Sequence, residues 1–323
     1  MFTRTWLWGA AAAVLAVAVP AQGLDREALP GRQVRVAAIA IGFGGDHDAK
    51  LKLAVEHLHA AGKRGVDVAC LPEEFAGFSA EPIPGPTTRA VAALARKHRM
   101  YVICPIREQC AGEQFNTAVL LDREGRVAGS YRKVFVFWGE GLVPSRDGVK
   151  LFDTDFGRIA ILTCFDLNFA EIWHQAELQG AEIVFWPSAY GGGMPLNANA
   201  MLHNYYVVAV GAGNLVDLTG KTLEAPRVET PCPGQFIATL DLDRTLIHTN
   251  FNEEKVQRLL REHKDEVEME KSFDVEAWYL LRALKPGVRV RDLCRQYQIE
   301  TLRDYRHRSR RQIDEARKTG KRI

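Results

Sequence analysis

Three chemically reactive side chains stand in or just after apolar, strand-like segments of this chain. Glu73 follows the run "VACLP", Lys133 lies inside the aromatic and β-branched stretch "YRKVFVFW", and Cys164 closes the run "RIAILTC". A cysteine that attacks an amide carbon or a similar electrophile needs a base for its proton. It also needs donors for the oxyanion and a proton source for the leaving nitrogen. A glutamate, a lysine and a cysteine together can supply all of these functions.

Each of these residues, taken alone, also fits a purely structural role. Cys164 fits an inert core thiol, and the glutamates at 73 and 74 fit a solvated loop. Lys133 fits either an edge-strand lysine whose head reaches water or a lysine that is paired with an acid and used. Their shared position in or after strands favours the catalytic interpretation, because rigid elements hold functional side chains in place.

The elements that position these residues alternate between strands and helices in the first half of the chain. Periodicity and turn residues predict helices at 47–65, 84–100 and 169–180, and strands or hairpins at 32–42, 66–72, 101–108, 116–134, 150–166, 181–189, 205–213 and 235–241. This mixture favours layered sheets with helices outside over a simple doubly wound sheet.

The N-terminus has the three parts of an export signal. Arg4 precedes an apolar stretch from Trp6 to Val19, and Val19 with Ala21 is small enough for a cleavage site. The stretch is short for a membrane span, although an uncleaved anchor is the alternative. We therefore predict a signal peptide over residues 1–23 and an exported protein, periplasmic or secreted, with no stable membrane span once the signal is removed.

Composition and charge exclude several classes of protein. Among 323 residues, 25% are charged and 47% are hydrophobic, which argues against wholesale disorder, and the net charge of +2 gives no reason to expect a nucleic-acid partner. The six cysteines form no C-x-x-C pair and no His cluster accompanies them, so we predict neither a metal site nor a cofactor.

The last part of the chain, residues 252–323, is predicted to be a charged, helical extension of a catalytic domain at 24–251. Its segments "VQRLLREH", "AWYLLRAL" and "LRDYRHRSRRQI" each suggest a helix with one apolar face. Another subunit or the flank of its own domain must bury those faces, since a lone amphipathic helix is marginal in water. The outline of a helix-turn-helix is also present, but DNA binding does not suit an exported chain.

The order Glu, Lys, Cys, with spacings of about 60 and 30 residues, resembles the nitrilase superfamily of carbon–nitrogen hydrolases. The resemblance runs from about residue 33 to 241 and is carried by "LPEEFAGF", "FNTAVLLDREGRVAGSYRKV", "LFDTDFGRIAILTCFDLNFAEI" and "GAEIVFWPSAY". It implies an α/β fold, a four-layer α-β-β-α sandwich, to which the helical extension is added. It also implies a homodimer or a higher homo-oligomer.

The resemblance also implies roles for individual residues. Glu73 matches the general base, Lys133 the lysine that stabilises the oxyanion, and Cys164 the nucleophile, while Glu74 is a neighbour without that role. A position between a strand and a helix, near an ammonium, is expected to favour the thiolate of Cys164.

Supporting roles follow from the same resemblance. The backbone N–H of Phe165 is expected to be the second oxyanion donor, Glu140 to position the lysine or the substrate, and Trp186 to support the site or contact substrate. Asp166 and Glu171 match acids that we interpret as structural.

Two departures from the family pattern affect the site. His203 stands before Asn204 where many members carry an acid, so a supporting hydrogen bond or the pocket itself is expected to differ. The second departure is the aromatic stretch after the lysine, which contains Phe135, Phe137 and Trp138. These side chains fit either a pocket wall or ordinary core.

Taken together, the sequence predicts an exported thiol hydrolase. It would cleave a small linear amide or N-carbamoyl compound through a cysteine thioester and release ammonia or an amine. A true nitrilase and a catalytically inactive binding protein on the same fold are the alternatives. An acyltransferase is disfavoured because the membrane-bound members of that kind need several spans, and no further span follows residue 23.

Overall fold

Two stacked β-sheets lie between two layers of helices in the computed structural model, which describes residues 28–323. The predicted signal peptide lies outside this range. Within residues 28–323, no helix combines the length and the apolar character that a bilayer crossing requires.

The first sheet carries Glu73 and Lys133 at the ends of its strands. Its strands, numbered in chain order, are β1 (Gln33–Ile39), β2 (Val68–Cys70), β3 (Tyr101–Cys110), β4 (Glu113–Leu121), β5 (Val127–Arg132), β11 (Val228–Glu229) and β12 (Gln235–Asp241). They lie in the order β11-β12-β1-β2-β3-β4-β5, and β1, β2 and β3 are parallel. Helices α1 (His47–Lys63) and α2 (Pro86–His98) make the two crossovers between these parallel strands.

The second sheet carries Cys164. Its strands are β6 (Leu151–Asp153), β7 (Arg158–Ile161), β8 (Ile183–Trp186), β9 (Tyr206–Ala209) and β10 (Asn214–Val216), in the order β10-β9-β8-β7-β6. Strands β7, β8 and β9 are parallel and are connected through α3 (Ala170–Leu178) and α4 (Met194–His203). Parallel strands end at the same edge of a sheet, so the residues that follow β7 and β8 emerge side by side.

The side chains of β1 show that both faces of the first sheet are covered. Val34, Val36 and Ala38 of β1 face the second sheet, whereas Ala37 and Ile39 face helices α1 and α2. Both faces of the strand are therefore buried, as the nearly continuous apolar run predicts for a parallel sheet between layers. The predicted four-layer sandwich is confirmed.

The C-terminal part adds a third sheet and three helices. Its elements are β13 (Thr245–His248), α5 (Glu253–Glu262), β14 (Val267–Phe273), β15 (Trp278–Ala283), α6 (Val290–Gln296) and α7 (Leu302–Thr319), and the sheet has the order β13-β15-β14. Helices form in "VQRLLREH" and "LRDYRHRSRRQI" as predicted. The sheet starts at Thr245, before the boundary that we predicted at residue 251.

The prediction of a helix across "AWYLLRAL" was wrong, because this segment forms β15. Leu280 packs into the core between the main sheets, while Leu281 packs into a smaller core formed with α5 and α6. A strand buried on both faces has no polar side, so its apolar run resembles a helical pattern in sequence.

The extension buries most of its apolar residues in its own small core, which includes Val256, Leu259 and Leu281. Leu280 and Leu302 pack against the flank of the catalytic domain, which is one of the two predicted possibilities. Arg303 of α7 donates hydrogen bonds to the carbonyl groups of Ala181, His203 and Asn204 at 2.8–3.0 Å. These contacts satisfy carbonyl groups where α3 and α4 end, and they fix the orientation of α7.

Candidate active site

The structure brings Glu73, Lys133 and Cys164 to one edge of the stacked sheets. Glu73 follows β2, Lys133 comes directly after β5, and Cys164 follows β7. Lys133 Nζ is fully buried and donates to Glu73 Oε1 at 2.8 Å and to Glu140 Oε1 at 2.5 Å. The lysine is therefore paired with acids and does not reach solvent from an edge strand.

Cys164 occupies a strained turn at the mouth of the second sheet. Its φ of 45° lies in the left-handed region, which is costly for a residue with a Cβ. A short 3₁₀ helix, Cys164–Asn168, begins here, and Trp186 Nε1 donates to the carbonyl oxygen of Cys164 at 3.1 Å. The turn presents the thiol to a cavity, so Cys164 is not an inert core residue.

Asp166 holds this turn against the first sheet. Its buried carboxylate accepts hydrogen bonds from the backbone N–H groups of Thr163 and Phe135 and from the hydroxyl group of Tyr131, at 2.7–2.8 Å. Burial raises the pKa of Asp166 to about 6, although these hydrogen bonds act to lower it. Glu171 is exposed in the first turn of α3. The structural interpretation of both acids agrees with these positions.

Two residues that hold Glu73 were not predicted from the sequence. Asn116 Nδ2 donates to Glu73 Oε1 at 2.8 Å, and the backbone N–H of Ala189 donates to Glu73 Oε2 at 3.0 Å. Asn116 lies in the segment "FNTAVLL" and Ala189 lies in "WPSAY", and both segments carry the family resemblance. The sequence does not show that these residues reach the same sheet edge as Glu73, because that depends on how the strands are aligned.

The surroundings of Cys164 act against its thiolate form. Burial, the negative charge of Glu73 and a hydrogen bond with its carboxylate raise the pKa of Cys164 to about 12, although Lys133 acts to lower it. This direction is opposite to the expected favouring of the thiolate, because burial and the charge of Glu73 outweigh the effect of the Lys133 ammonium. Burial acts to lower the pKa of Lys133, but the charge of Glu73 and its other acidic partners raise it overall.

The reactive groups open onto a cavity of about 580 Å³. Its described lining is Phe43, Glu73, Glu74, Phe78, Arg107, Phe137, Gly139, Glu140, Cys164, Phe165, Ala189 and Tyr190. Glu140 Oε2 is buried and has no hydrogen-bond partner among the described residues. The backbone N–H of Phe165 belongs to the first turn of the 3₁₀ helix, where donors lack partners inside the helix. The Phe165 N–H is therefore able to donate a hydrogen bond to a polar ligand in the cavity.

The aromatic residues after Lys133 have three different environments. Phe137 lines the cavity, and Phe135 stacks on Phe169 with ring centroids 3.7 Å apart. Trp138 is 88% exposed and contacts Phe137. Trp186 supports the nucleophile turn and is absent from the described cavity lining.

His203 is absent from the described cavity lining, so of the two expected effects, on a supporting contact or on the pocket, the structure favours the first. Its ring lies beside Glu177, with 3.6 Å between His203 Nδ1 and Glu177 Oε2. His174 and His307 also contact this carboxylate, at 2.9 Å and 2.6 Å. The position before Asn204 therefore belongs to the contact between α3, α4 and α7.

Comparisons with known proteins identify the family. The family model described as carbon–nitrogen hydrolase matches residues 34–210. Two similar curated proteins are a β-ureidopropionase from Arabidopsis thaliana and an N-carbamoylputrescine amidase from Solanum lycopersicum. The first is 34% identical over 49% of this chain and 45% of its own length, and the second is 28% identical over 50% and 60%. The chain therefore spans about half of the length of the curated relatives that it matches.

A solved structure supports the fold. An amidase from Nesterenkonia sp. superposes with a TM-score of 0.57 at 20% identity, over 68% of this chain and 93% of that chain. The family model covers more than half of the sequence, and the matched segment contains Glu73, Lys133, Glu140 and Cys164. This chain belongs to the carbon–nitrogen hydrolase family, within the nitrilase superfamily.

Proposed function

We propose that this protein hydrolyses a small linear amide or N-carbamoyl compound through a thioester on Cys164. The observation that carries the proposal is the buried Lys133 ammonium, which Glu73 and Glu140 share beside Cys164 in one cavity. Such a cluster provides a base, a cationic oxyanion partner and a nucleophile within reach of one substrate.

In the first half of the reaction, the Cys164 thiol gives its proton to Glu73 as sulfur attacks the carbonyl carbon. Because burial and the charge of Glu73 raise the pKa of the Cys164 thiol, we expect proton transfer to accompany the attack. Lys133 and the backbone N–H of Phe165 stabilise the oxyanion. Glu73 then protonates the leaving nitrogen, the C–N bond breaks, and a thioester remains.

In the second half, Glu73 removes a proton from water, and the resulting hydroxide attacks the thioester carbon. The same two donors stabilise the second oxyanion, and the thiolate leaves and recovers the proton from Glu73. An amide and one water thereby yield a carboxylic acid and ammonia. Glu140 lines the cavity and accepts a hydrogen bond from Lys133, and it thereby positions the lysine for the oxyanion.

The names of the relatives support this reaction class. The β-ureidopropionase and the N-carbamoylputrescine amidase are named for N-carbamoyl compounds, and the Nesterenkonia protein is named an amidase. Because these relatives share only part of their length with this chain, the substrate assignment here depends on the cavity.

Ammonia release from a panel of amides, ureido acids and nitriles tests the proposal. We expect turnover of amides or ureido acids that Cys164→Ala abolishes and that Cys232→Ala, at a half-buried cysteine away from the cavity, retains. A preference for nitriles would establish the nitrilase alternative. Binding without any turnover would establish the inactive binding protein.

We also propose that the protein is exported through residues 1–23, the export signal described above. Expression of the full chain in a bacterial host, followed by fractionation and N-terminal sequencing, tests this. We expect a mature N-terminus near residue 22 outside the cytoplasm, whereas an intact N-terminus in the membrane fraction would indicate an uncleaved anchor.

We further propose a homodimer or higher homo-oligomer with the extension at or beside the interface. The outer surface of α3 and α4 exposes large apolar side chains, with Leu178 56% and Leu202 55% exposed, next to α7. Removal of residues 252–323 is expected to lower the oligomeric mass or the solubility before it affects the chemistry. Light scattering measures this, and an unchanged mass and solubility would contradict the proposal.

A further inference from the structure

Three histidine rings surround one buried carboxylate where α3, α4 and α7 meet. The carboxylate belongs to Glu177, whose side chain is 6% exposed. His174 and His203 approach its Oε2 atom through their Nδ1 atoms, at 2.9 Å and 3.6 Å, and His307 Nε2 approaches Oε1 at 2.6 Å. None of these four residues belongs to the described lining of the cavity that contains Cys164. The proposed reaction therefore does not use this cluster.

The ends of two helices bring these donors together. His174 and Glu177 lie three residues apart in α3, so their side chains share one face of that helix. His203 is the last residue of α4, and its ring centroid lies 5.7 Å from that of His174. One ligand atom from each of these three residues lies within 4.8 Å of the other two. Within residues 28–323, no second group of three histidine, cysteine or carboxylate donors meets this spacing.

Two imidazole nitrogen atoms and one carboxylate oxygen are donors that zinc prefers, whereas magnesium and calcium prefer oxygen atoms alone. Zinc–ligand distances of about 2.0 Å in tetrahedral geometry place neighbouring ligand atoms about 3.3 Å apart. The distances from Glu177 Oε2 to the two Nδ1 atoms, 2.9 Å and 3.6 Å, lie on either side of this value. The His174 side chain is 47% exposed, so a water molecule can reach the fourth position.

Two further residues act on this site from α7. His307 donates a hydrogen bond to Oε1 of Glu177, which orients the carboxylate and leaves Oε2 to the metal. The guanidinium of Arg303 donates to three carbonyl groups where α3 and α4 end, and it forms no ion pair with Glu177. Its charge opposes a second cation nearby, so we expect weaker binding than at a zinc site enclosed by four protein ligands.

We propose that His174, Glu177 and His203 form a binding site for a zinc ion. The ion connects α3 to α4 and, through the hydrogen bond between Glu177 and His307, stabilises the packing of α7 on both helices. In the metal-free protein, the carboxylate contacts the imidazole rings directly. The spacing of cysteine and histidine residues in the sequence predicts no metal site, because these donors belong to separate helices and converge only in the folded chain. The proposal is independent of the proposed function.

Isothermal titration calorimetry with zinc chloride tests the proposal on protein that carries no histidine tag. The Cys164→Ala variant is used, so that the active-site thiol cannot hold the metal. We expect equimolar binding, and a melting temperature that rises by about 4 °C or more when zinc is in hundredfold excess over its dissociation constant. Magnesium chloride is expected to leave the melting temperature unchanged. The absence of equimolar zinc binding would overturn the proposal.

Variants in the same background locate the metal. His174→Gln, at a half-exposed position, and His203→Asn each remove one imidazole donor. Each should weaken zinc binding at least about 100-fold, because the loss of an outer partner alone costs about 10–100-fold. The matched control is His59→Asn, in a pair of rings with His59 Nδ1 2.8 Å from His98 Nε2, and it should retain the affinity. Zinc binding of unchanged affinity in both His174→Gln and His203→Asn would overturn the proposal.

X-ray absorption at the zinc edge identifies the ligand atoms directly. The zinc-loaded protein should show nitrogen and oxygen ligands at about 2.0 Å and no sulfur ligand at about 2.3 Å. A sulfur ligand would assign the zinc to a cysteine, such as Cys232, which lies 3.7 Å from His57 Nδ1, and would overturn the proposal. None of these measurements requires turnover, so their outcome does not depend on the reaction at Cys164.

Discussion

Two buried carboxylate clusters lie on different parts of this molecule and differ in how completely their atoms are paired. The active-site cluster consists of Glu73, Lys133, Glu140 and Cys164. The docking cluster, where α7 meets α3 and α4, consists of His174, Glu177, His203, Arg303 and His307. In the docking cluster, both oxygen atoms of the Glu177 carboxylate contact imidazole rings. In the active-site cluster, Glu140 Oε2 has no partner among the described residues.

The two clusters differ in whether they contain buried oxygen atoms without a hydrogen-bond partner. Asn116 Oδ1, on the side chain that binds Glu73, is also buried without a partner in the described part of the chain. Unpaired buried polar atoms are costly, and natural proteins concentrate them where a ligand completes the hydrogen bonding. The Glu177 carboxylate, whose two oxygen atoms are both paired, stabilises a contact between elements, whereas Glu140, which lines the cavity, keeps one oxygen atom without a partner among the described residues.

The largest expected effect is that of Cys164→Ala. This change deletes the proposed nucleophile and little volume, so turnover should fall by at least about 10⁴-fold. The melting temperature should stay within a few degrees of the native value, because alanine keeps the Cβ and the backbone conformation of the turn. Ammonia release and thermal unfolding measure the two effects, and residual turnover above about 1% would show that another group is the nucleophile.

In the proposed mechanism Glu73 acts as acid and base in both halves of the reaction, so Glu73→Gln should lower kcat/KM by about 10³-fold or more. The matched control is Glu177→Gln, the same change in the docking cluster, for which we expect kcat/KM within about threefold of the native value. Steady-state kinetics of both variants on one substrate decide this. A comparable loss in both would show that the clusters are coupled through the fold.

Glu177→Gln should instead destabilise the protein. The neutral amide loses the charge that compensates Arg303 and the nearby imidazole rings, and it accepts a weaker hydrogen bond from His307, so we expect a loss of about 1–3 kcal/mol. Urea unfolding of the native protein and the variant measures this. Equal urea midpoints for the native protein and the variant would mean that the Glu177 carboxylate does not stabilise the packing of α7.

The smallest effect is the pH dependence of that destabilisation. Burial acts to raise the pKa of Glu177, but hydrogen bonds from His203 and His307 outweigh it and lower the pKa to about 2. A depressed carboxylate pKa contributes stability above the unfolded pKa of about 4.3 and loses it as pH falls toward the folded value. The difference in melting temperature between the native protein and Glu177→Gln should therefore shrink between about pH 5 and pH 2. A constant difference would contradict this assignment.

Much of the fold was predictable because its signals are local. The apolar runs of β1, β7 and β8 and the helical periodicity of α1 and α2 depend only on neighbours along the chain. The segment at β15 was not predictable in this way, because its two faces are buried by two different cores. Periodicity cannot distinguish a strand covered on both sides from a buried helix.

The sequence by itself determined the candidate groups for the chemistry of the site, since Glu73, Lys133 and Cys164 each stand where a strand ends or has just ended. Only the tertiary structure decided the electrostatic environment and the partners of these groups. Lys133 is shared by Glu73 and Glu140, and burial together with the charge of Glu73 raises the pKa of the Cys164 thiol. Charges in a low-dielectric interior respond to every neighbour within a few ångströms, and those neighbours come from strands far apart in the chain.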